Sequence, residues 1–418
     1  MARTYFVNAN LLDGENPIKP ASAITIEGNR IVSITNGPVA PAPGDQVIDC
    51  GQRTLMPGMV SGHFHPTYRN VGNSLMPPLG MERAPAMHAY VAAYHAGIAI
   101  QSGVTSVVGA NSPFDIDPSL RDAILEGLIV GPRVVPGSRD LITTADSNDT
   151  TPWYWDSNVL AGVRLCDGPK EFRKAVRDEI RRGAEIVKLF ATGGHGIRLS
   201  GTTMSMTKAE LSAAVEAAHG LGMRARAHVA SKAGIMRCIE AGVDVLDHGD
   251  GMDEECVQAI AEVGAILIPS LHGPYHMIKT LRAMRREGDD NTELDRKVEQ
   301  RVDAMRRMCE MLPAAVEAGV CICLGDDYGS DVLPHGMYGD EPALYIEHAS
   351  IPTLEVLRWA TVNGGVLVGL SDLGRIEEGY LADLVVVDGD PSTDITVLGS
   401  TEGICAVMRD GELLINNL

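Results

Sequence analysis

The segment LMPGMVSGHFH, residues 55–65, is a short apolar strand that ends in two histidines. His63 and His65 stand at positions i and i+2, so on an extended chain both imidazoles point the same way and can reach one metal ion. Taken alone, two polar residues at the start of a loop explain the segment equally well. The metal interpretation gains weight because buried strands with polar ends recur along the chain.

Apolar strands of the same kind are predicted at 59–63, 106–110, 133–137, 186–190, 224–229, 243–248, 265–270 and 320–325. Amphipathic, helix-like stretches separate most of them, and a glycine suited to a helix C-terminus precedes many of the strands. These junction glycines are Gly103, Gly183, Gly222, Gly242, Gly264 and Gly319. Parallel strands need crossover helices, so eight βα units in series predict an α/β fold of the (β/α)8 TIM-barrel type. A doubly wound open sheet is the alternative.

Both ends of the chain have a different, β-rich pattern. Short strand-like runs broken by Gly, Asn and Pro fill the first fifty-odd residues, and a strand followed by a hairpin is expected after residue 384. We therefore expect a small β-sandwich domain built from both termini, residues 1–57 and 373–418, and a hydrolase barrel over 58–372.

Composition narrows the class of protein. The 418 residues carry a net charge of −20 without a cluster of Lys or Arg, which disfavours nucleic acid and anionic membrane surfaces as partners. The eight cysteines are scattered and include no CxxC pair, which indicates a reducing compartment. No apolar run approaches the roughly 20 residues of a membrane span. The sequence predicts a soluble, cytoplasmic protein, and a homo-oligomer is compatible with it.

Further polar residues stand at the predicted strand ends, where barrel enzymes place their chemistry. Lys188 lies inside the apolar run IVKLF, so it is either a snorkelling or ion-paired lysine, or N-carboxylated with its carbamate bridging two cations. His228 and His248 end the next two strands, and Asp326 and Asp327 follow the last one. With His63 and His65, and counting one of the two aspartates, these residues make six candidate ligands from five strands, and they would surround one axial pocket.

Two insertions, 140–168 and 272–312, follow barrel strands and are expected to overhang this pocket as lids. Candidate substrate contacts lie here and in neighbouring loops, each with a plain structural alternative such as lid packing or a flexible loop. They are His195 in the loop GGHG, His335, and the aromatic run Trp153, Tyr154 and Trp155.

The chain resembles the amidohydrolase superfamily, specifically its binuclear branch with a carboxylated lysine. The resemblance rests on LMPGMVSGHFH at 55–65 and on GRIEEGYLADLVV at 374–386, and it extends over nearly the whole chain, most closely to imidazolonepropionase-like and Xaa-Pro dipeptidase-like members. It implies His63, His65 and Asp327 on one metal, His228 and His248 on the other, and carboxylated Lys188 between them. Asp327 is chosen over Asp326 because the superfamily pattern Leu-Gly-Thr-Asp has the ligand in fourth place.

Such a site would hold two divalent cations, with Zn²⁺ favoured and Mn²⁺, Co²⁺ or Fe²⁺ also compatible with the ligands. A hydroxide that bridges the metals is a nucleophile at neutral pH, and Asp327 would act as the proton acceptor beside the catalytic Lys188 carbamate. The expected activity is hydrolysis of an amide-like C–N bond, other than ordinary protein peptide bonds, in a small, partly apolar molecule.

Two departures from superfamily patterns bear on the substrate. Deaminases resemble one another in a His-x-x-Glu after strand five, where this chain has Ser231, so ring deamination is disfavoured. Dipeptidase relatives typically show His-Ala-Tyr there, and this chain has His228, Val229 and Ala230. A Xaa-Pro dipeptidase or N-acyl amino acid hydrolase stays open as the alternative, followed by a lactone or phosphotriester hydrolase. A metal-free, assembly-forming relative of dihydropyrimidinase would have lost ligands, and all six are present.

Overall fold

Both ends of the chain enter one β-sheet, while the middle alternates strands with helices. The computed structural model describes residues 2–71, 80–150, 161–194, 199–288 and 290–418. In chain order the strands are β1 (Arg3–Leu11), β2 (Lys19–Glu27), β3 (Arg30–Thr35), β4 (Gln46–Asp49), β5 (Thr54–Pro57), β6 (Met59–Phe64), β7 (Val104–Gly109), β8 (Arg133–Val135), β9 (Gly137–Ile142), β10 (Val163–Leu165), β11 (Ile186–Phe190), β12 (Arg224–Val229), β13 (Val245–His248), β14 (Ile266–Ile268), β15 (Cys321–Ile322), β16 (Leu384–Val387), β17 (Ile404–Arg409) and β18 (Glu412–Asn416).

The helices lie mostly between the parallel strands. They are α1 (Pro85–Gln101), α2 (Ile116–Leu125), α3 (Pro169–Arg181), α4 (Lys208–His219), α5 (Lys232–Ala241), α6 (Glu254–Val263), α7 (His272–Ala283), α8 (Thr292–Glu317), α9 (Glu341–Ala349), α10 (Thr353–Ala360) and α11 (Val362–Val368). Short 3₁₀ turns occur at Pro113–Asp115, Ile395–Gly399 and Thr401–Gly403. In the ranges that the structure describes, none of these helices is both long and apolar enough to traverse a lipid bilayer.

The terminal sheet has the order β18-β17-β16-β5-β1-β2-β3, with β4 paired to β1. Strand β5 runs parallel to β1 and antiparallel to β16, where Met56 pairs with Val385. Apolar side chains from both ends of the chain, such as Phe6, Leu55 and Leu384, share one buried cluster. The prediction that both termini build one small β layer is confirmed.

The middle of the chain forms two parallel sheets, β10-β9-β11-β12-β13-β14-β15 and β6-β7-β8. The mixed α/β class with parallel strands is therefore confirmed. A hydrogen bond from Gly62 N to the Leu324 carbonyl, 2.7 Å long, joins β6 to the residues that follow β15. At the other edge, β8 and β9 are separated only by Pro136, which cannot donate to a ladder.

The close approach of these two sheets depends on glycine. A Cβ atom built on Gly137, the first residue of β9, would lie 2.7 Å from the backbone carbon of Gly109 at the end of β7. No larger residue fits this crossing without a shift of the backbone. The two glycines therefore allow the end of β7 to lie against the start of β9.

The segment 272–312 differs from the predicted overhanging insertion. The segment does not form one continuous overhang, because α7 ends at Ala283 and a second helix, α8, starts at Thr292. Met308, Leu312 and Ala315 in the second half of α8 are buried at helical spacing. Since these residues pack into the main core, this half of α8 is the crossover from β14 to β15.

Candidate metal centre

His63 and His65, at the end of β6, face Asp327 from the loop after β15. The His63 and His65 Nε2 atoms are 3.1 Å apart, and they lie 3.0 Å and 3.2 Å from the same Asp327 carboxylate oxygen. Both imidazoles are buried, whereas 38% of the Asp327 side chain is exposed. The strand end thus presents three potential ligand atoms to one point at the rim of the sheet.

The chemistry of this triad fits a divalent cation. Burial lowers the pKa of His65 to about 3, so its imidazole is neutral and keeps a lone pair for coordination. Burial acts to raise the pKa of Asp327, but the neighbouring His63 and His65 outweigh it and hold that pKa well below 3.8. Two ring nitrogens that face each other beside one carboxylate oxygen match the imidazole and carboxylate ligands of zinc and similar metals.

His228 and His248 come from the neighbouring strands β12 and β13. Their ring centroids are 4.5 Å apart, and the His248 ring lies 5.3 Å from that of His63. Phe190 stacks on His228 at 4.5 Å, and the His248 Nδ1 lies 2.9 Å from the Ser270 hydroxyl oxygen. These contacts fix the planes of both imidazoles next to the triad.

The backbone at His248 turns its side chain towards the site. His248 follows Asp247, and successive strand residues normally point to opposite faces. His248 has a φ of 73°, in the left-handed region that residues other than glycine rarely occupy. This strained conformation lets Asp247 and His248 both face the inside of the sheet, and such strain is typical of functional positions.

Lys188 enters from β11, and its side chain is only 2% exposed. Its Nζ donates to the Asp247 Oδ2 at 2.6 Å and lies 5.5 Å from the centre of the Phe190 ring. Of the interpretations that the sequence allows for Lys188, the structure thus shows the ion-paired lysine. The amine nevertheless lies on the face of the sheet that carries the histidines, since the neighbouring Arg226 contacts His63.

Arg226 and Asp247 form a buried ion pair beneath the imidazoles. Arg226 donates to both Asp247 oxygens, at 2.5 Å and 3.1 Å, and also to the carbonyls of Gly62 and Gly109. The Nδ1 of His63 lies 3.2 Å from Arg226 Nη2 and 3.4 Å from Asp247 Oδ1. Burial acts to raise the pKa of Asp247, but the adjacent cations hold it well below 3.8. One carboxylate therefore orients both a histidine and the lysine.

The sequence interpretation missed Arg226, Asp247 and Ser270. A signal for Arg226 existed, because it stands two residues before His228 and so shares its face, just as His63 shares a face with His65. Asp247 lies beside a predicted ligand but was given no role. Ser270 carries no local signal, since its contact to His248 depends on the spacing of two strands.

The two adjacent aspartates after β15 have different surroundings. Asp326 is fully buried and accepts backbone N–H bonds from Asp327, His272 and Gly273 at 2.7, 2.8 and 3.1 Å. Asp326 thereby attaches this loop to the first turn of α7. Glu341 accepts a further backbone bond from Gly325 at 3.0 Å, so buried carboxylates hold the loop that presents Asp327.

The candidate substrate contacts are only partly described. Trp153, Tyr154, Trp155 and His195 lie outside the described residues. His335 lies behind His65, where its Nε2 donates to the His65 carbonyl at 3.1 Å and its Nδ1 accepts from the Tyr338 hydroxyl at 2.6 Å. Both nitrogens of His335 are engaged by the protein in this structure.

Replacement of Asp247 by asparagine is expected to lower the free energy of unfolding of the metal-free protein by on the order of 3–5 kcal/mol, because Arg226 and Lys188 lose their buried counter-charge. Urea denaturation measures the effect. Asp244→Asn is the matched control, since Asp244 is 28% exposed and pairs with His219 near the surface. Equal losses in the two variants would contradict the expectation.

Comparisons with known proteins place these observations in a family context. The model of the amidohydrolase family matches residues 54–414. Ochratoxinase from Aspergillus niger is 30% identical over 383 residues, which cover 86% of this chain and 75% of that protein. The solved structure of a Xaa-Pro dipeptidase with bound methionine in its active site is 29% identical, with a TM-score of 0.85 over 99% of this chain and 100% of that one. A prolidase complexed with N-methylphosphonate-L-proline is 28% identical, with a TM-score of 0.86 and the same coverage.

Proposed function

Because this chain belongs to the amidohydrolase family, we propose that it is a binuclear metal hydrolase of a small, partly apolar amide-like substrate. That the chain is a hydrolase of amide-like C–N bonds follows from the family and from its relatives. The proposal concerns the metal centre, the ligands and the substrate class. The observation that carries it is the convergence of His63, His65 and Asp327 within 4.8 Å.

We propose that the two parallel sheets are parts of one closed (β/α)8 barrel of residues 58–372. Support comes from the bond between Gly62 and Leu324 and from the near-continuity of β8 with β9, which together would connect the sheets at both edges. Residues 1–57 and 373–418 would then form a small β domain beside it. The site would lie at the carboxyl ends of the barrel strands, as is general for this architecture.

The proposed ligands are His63, His65 and Asp327 for one cation and His228 and His248 for the second. Zn²⁺ suits these ligands best, and Mn²⁺, Co²⁺ or Fe²⁺ also fit. Two bound cations would lower the pKa of a water molecule and polarise the scissile carbonyl. The residues around them supply orientation, because Ser270 and Asp247 bond the outer nitrogens of His248 and His63.

Lys188 is proposed to bridge the two metals as a carbamate. The neutral amine takes up CO2 and releases one proton, which gives an anion with two oxygens in place of a cation. The burial of Lys188 on the histidine face supports this role. The ion pair with Asp247 has to be exchanged in the process, so metal loading and carboxylation are coupled.

Asp327 is proposed as the group that moves the proton. Its carboxylate is partly exposed at the rim, with His63 and His65 on its inner side, so it can reach both the attacking water and the leaving amine. It accepts the proton of the water during attack and returns it to the departing nitrogen. His335 would support the backbone of His65, while His195, Trp153, Tyr154 and Trp155 remain proposed substrate contacts.

The substrate class proposed first is an amide with an apolar acyl or amine part, in line with the similarity to ochratoxinase. A Xaa-Pro dipeptidase is the second candidate, and the similarity to two such structures over 99% of the chain favours it. A panel of ochratoxin, N-acyl amino acids, Xaa-Pro dipeptides, ureas, carbamates, lactones and phosphotriesters separates these classes. Turnover confined to lactones and phosphotriesters would contradict an amidase.

The eight free cysteines support a reducing, cytoplasmic location.

The protein expressed with bicarbonate and excess zinc is expected to retain close to two metal ions per chain. Five protein ligands and one carbamate would leave neither position without anchoring groups. Inductively coupled plasma mass spectrometry on the desalted protein gives the number. A value near one would remove the bridging role from Lys188, and trace metal in active protein would contradict the metal centre altogether.

A further inference from the structure

Tyr68, three residues after His65, lies flat against the imidazole of that candidate ligand. The two rings are parallel within 1°, and their centroids are 3.9 Å apart. The backbone N–H of Tyr68 also donates to the His65 carbonyl at 3.1 Å. Because the Nε2 atom of His65 lies 3.2 Å from the Asp327 carboxylate, the stacked phenol lies beside the candidate metal centre.

A second loop holds Tyr68 in this position. The N–H of Val71 donates to the Gly329 carbonyl at 3.1 Å, which attaches the loop after β6 to the loop that carries Asp327. A Cβ atom on Gly329 would lie 2.4 Å from the Cβ atom of Tyr68, and Gly329 has a φ of 108°. Only glycine combines this conformation with so close an approach. The base of the Tyr68 side chain is therefore fixed between the two loops.

The hydroxyl of Tyr68 differs from those of two other buried tyrosines near the site. Tyr328 donates to Glu341 at 2.8 Å, and Tyr345 donates to the Pro269 carbonyl at 2.7 Å. A buried tyrosine normally finds such a partner for its O–H. Tyr68 is 9% exposed, and its hydroxyl makes no hydrogen bond to any residue that the structure describes. Its O–H is therefore available to a bound molecule.

Two carboxylates of the site lie near this phenol. Burial raises the pKa of Tyr68 well above 10, and the charges of Asp140 and Asp327 raise it further. Asp140 pairs with Lys188 across β9 and β11, and its neighbour Arg139 bonds Glu179 on the helix side, so Asp140 faces the histidines. The phenol thus points towards the inner side of the site and keeps its proton at neutral pH.

An uncommitted O–H donor has a use in amide hydrolysis. Attack on the amide carbon moves negative charge onto the carbonyl oxygen, and a donor aimed at that oxygen stabilises the transition state. Arg226 and Ser270, two other donors close to the triad, are already engaged by the protein. We propose that Tyr68 is a further catalytic residue, and that its hydroxyl donates to the oxygen of the scissile carbonyl. This inference rests on the proposed function and adds a residue to it.

Tyr68→Phe separates this role from simple packing. Phenylalanine keeps the ring on His65 and removes only the hydroxyl, so Tm and metal content are expected to stay at the wild-type values. For the amide of the panel above that the wild-type chain hydrolyses fastest, kcat is expected to fall by about 10²–10³-fold with little change in KM. Tyr5→Phe is the matched control, since Tyr5 is 6% exposed but lies in the terminal sheet. It is expected to keep the wild-type kcat.

A tetrahedral inhibitor gives a second readout. The methylphosphonamidate of the amine that this substrate releases resembles the tetrahedral intermediate, whereas the released amine does not. Tyr68→Phe is expected to weaken binding of the phosphonamidate by at least tenfold and to leave inhibition by the amine unchanged. A residue that only packs against His65 would not discriminate between the two compounds.

Four results would overturn the assignment of Tyr68. They are a wild-type kcat in Tyr68→Phe, a clear drop in its Tm, a loss of its metal, and equal weakening of both inhibitors. Each of them leaves the wild-type chain an amide hydrolase. A wild-type chain that hydrolyses no amide of the panel would instead refute the proposed function, and this inference with it.

Discussion

Replacement of Lys188 by alanine is expected to lower kcat/KM by about 10³-fold or more, because loss of the bridging anion removes several kcal/mol of transition-state stabilisation at the metals. Steady-state kinetics and metal content are measured on the same preparation. Formate or acetate is expected to restore part of the activity, since a soluble carboxylate can occupy the position of the carbamate.

Two further lysine variants sharpen this experiment. Lys188→Glu is expected to retain more metal than the alanine variant, because it keeps an anion near the site. Lys232→Ala serves as the surface control, since Lys232 is 44% exposed and pairs with Asp253 outside the site. Full activity in Lys188→Ala would exclude the bridge, and absence of rescue by carboxylates would leave Lys188 with the ion-paired role seen beside Asp247.

Asp327→Asn is expected to lower kcat by about 10²–10⁴-fold, the usual contribution of a positioned general base. Asparagine keeps the shape of the side chain and one ligand oxygen, so much of the metal should remain bound. The loss is expected in kcat more than in KM, because the carboxylate acts on the proton of the water. Kinetics, metal analysis and thermal unfolding of the purified variant together measure these effects.

The neighbouring Asp326 provides a control with the opposite profile. Its carboxylate accepts N–H bonds from Asp327, His272 and Gly273, so asparagine would turn a donor towards backbone donors. Asp326→Asn is expected to lower Tm clearly while its effect on kcat is far smaller. A nearly wild-type Asp327→Asn beside an inactive Asp326→Asn would reverse the assignment of the two carboxylates.

Local signals in the sequence predicted much of the fold. The six glycines expected between helices and strands all have positive φ in the structure, from 70° at Gly264 to 103° at Gly183. That conformation is a property of single residues and short spacings, so it can be deduced from sequence. The division of the strand predicted at 133–137 also had a local signal, because Pro136 cannot donate to a ladder. No local pattern contained the packing of the second half of α8 into the main core, which depends on distant segments.

The same distinction applies to the site. His63 and His65 could be proposed together because spacing i, i+2 defines a face of a strand. The contacts among Arg226, Asp247 and His63 depend on the register between strands, in which His228 pairs with Asp247. The left-handed turn at His248 also reverses what strict alternation would predict. A single sequence encodes the strand ends well and their mutual arrangement poorly.

The pairing of β5 with β16 has a consequence for biosynthesis. Thr54 donates its hydroxyl hydrogen to the carbonyl of Gly389, which lies 335 positions later in the chain. At ribosomal rates of roughly 5–20 residues per second, β5 waits on the order of tens of seconds for its neighbour. During that time the buried residues Leu55 and Met56 belong to an unpaired strand edge, a hazard for aggregation. β5, which immediately precedes the strand that carries His63, is therefore among the last of the described strands to gain its final partner in the cell.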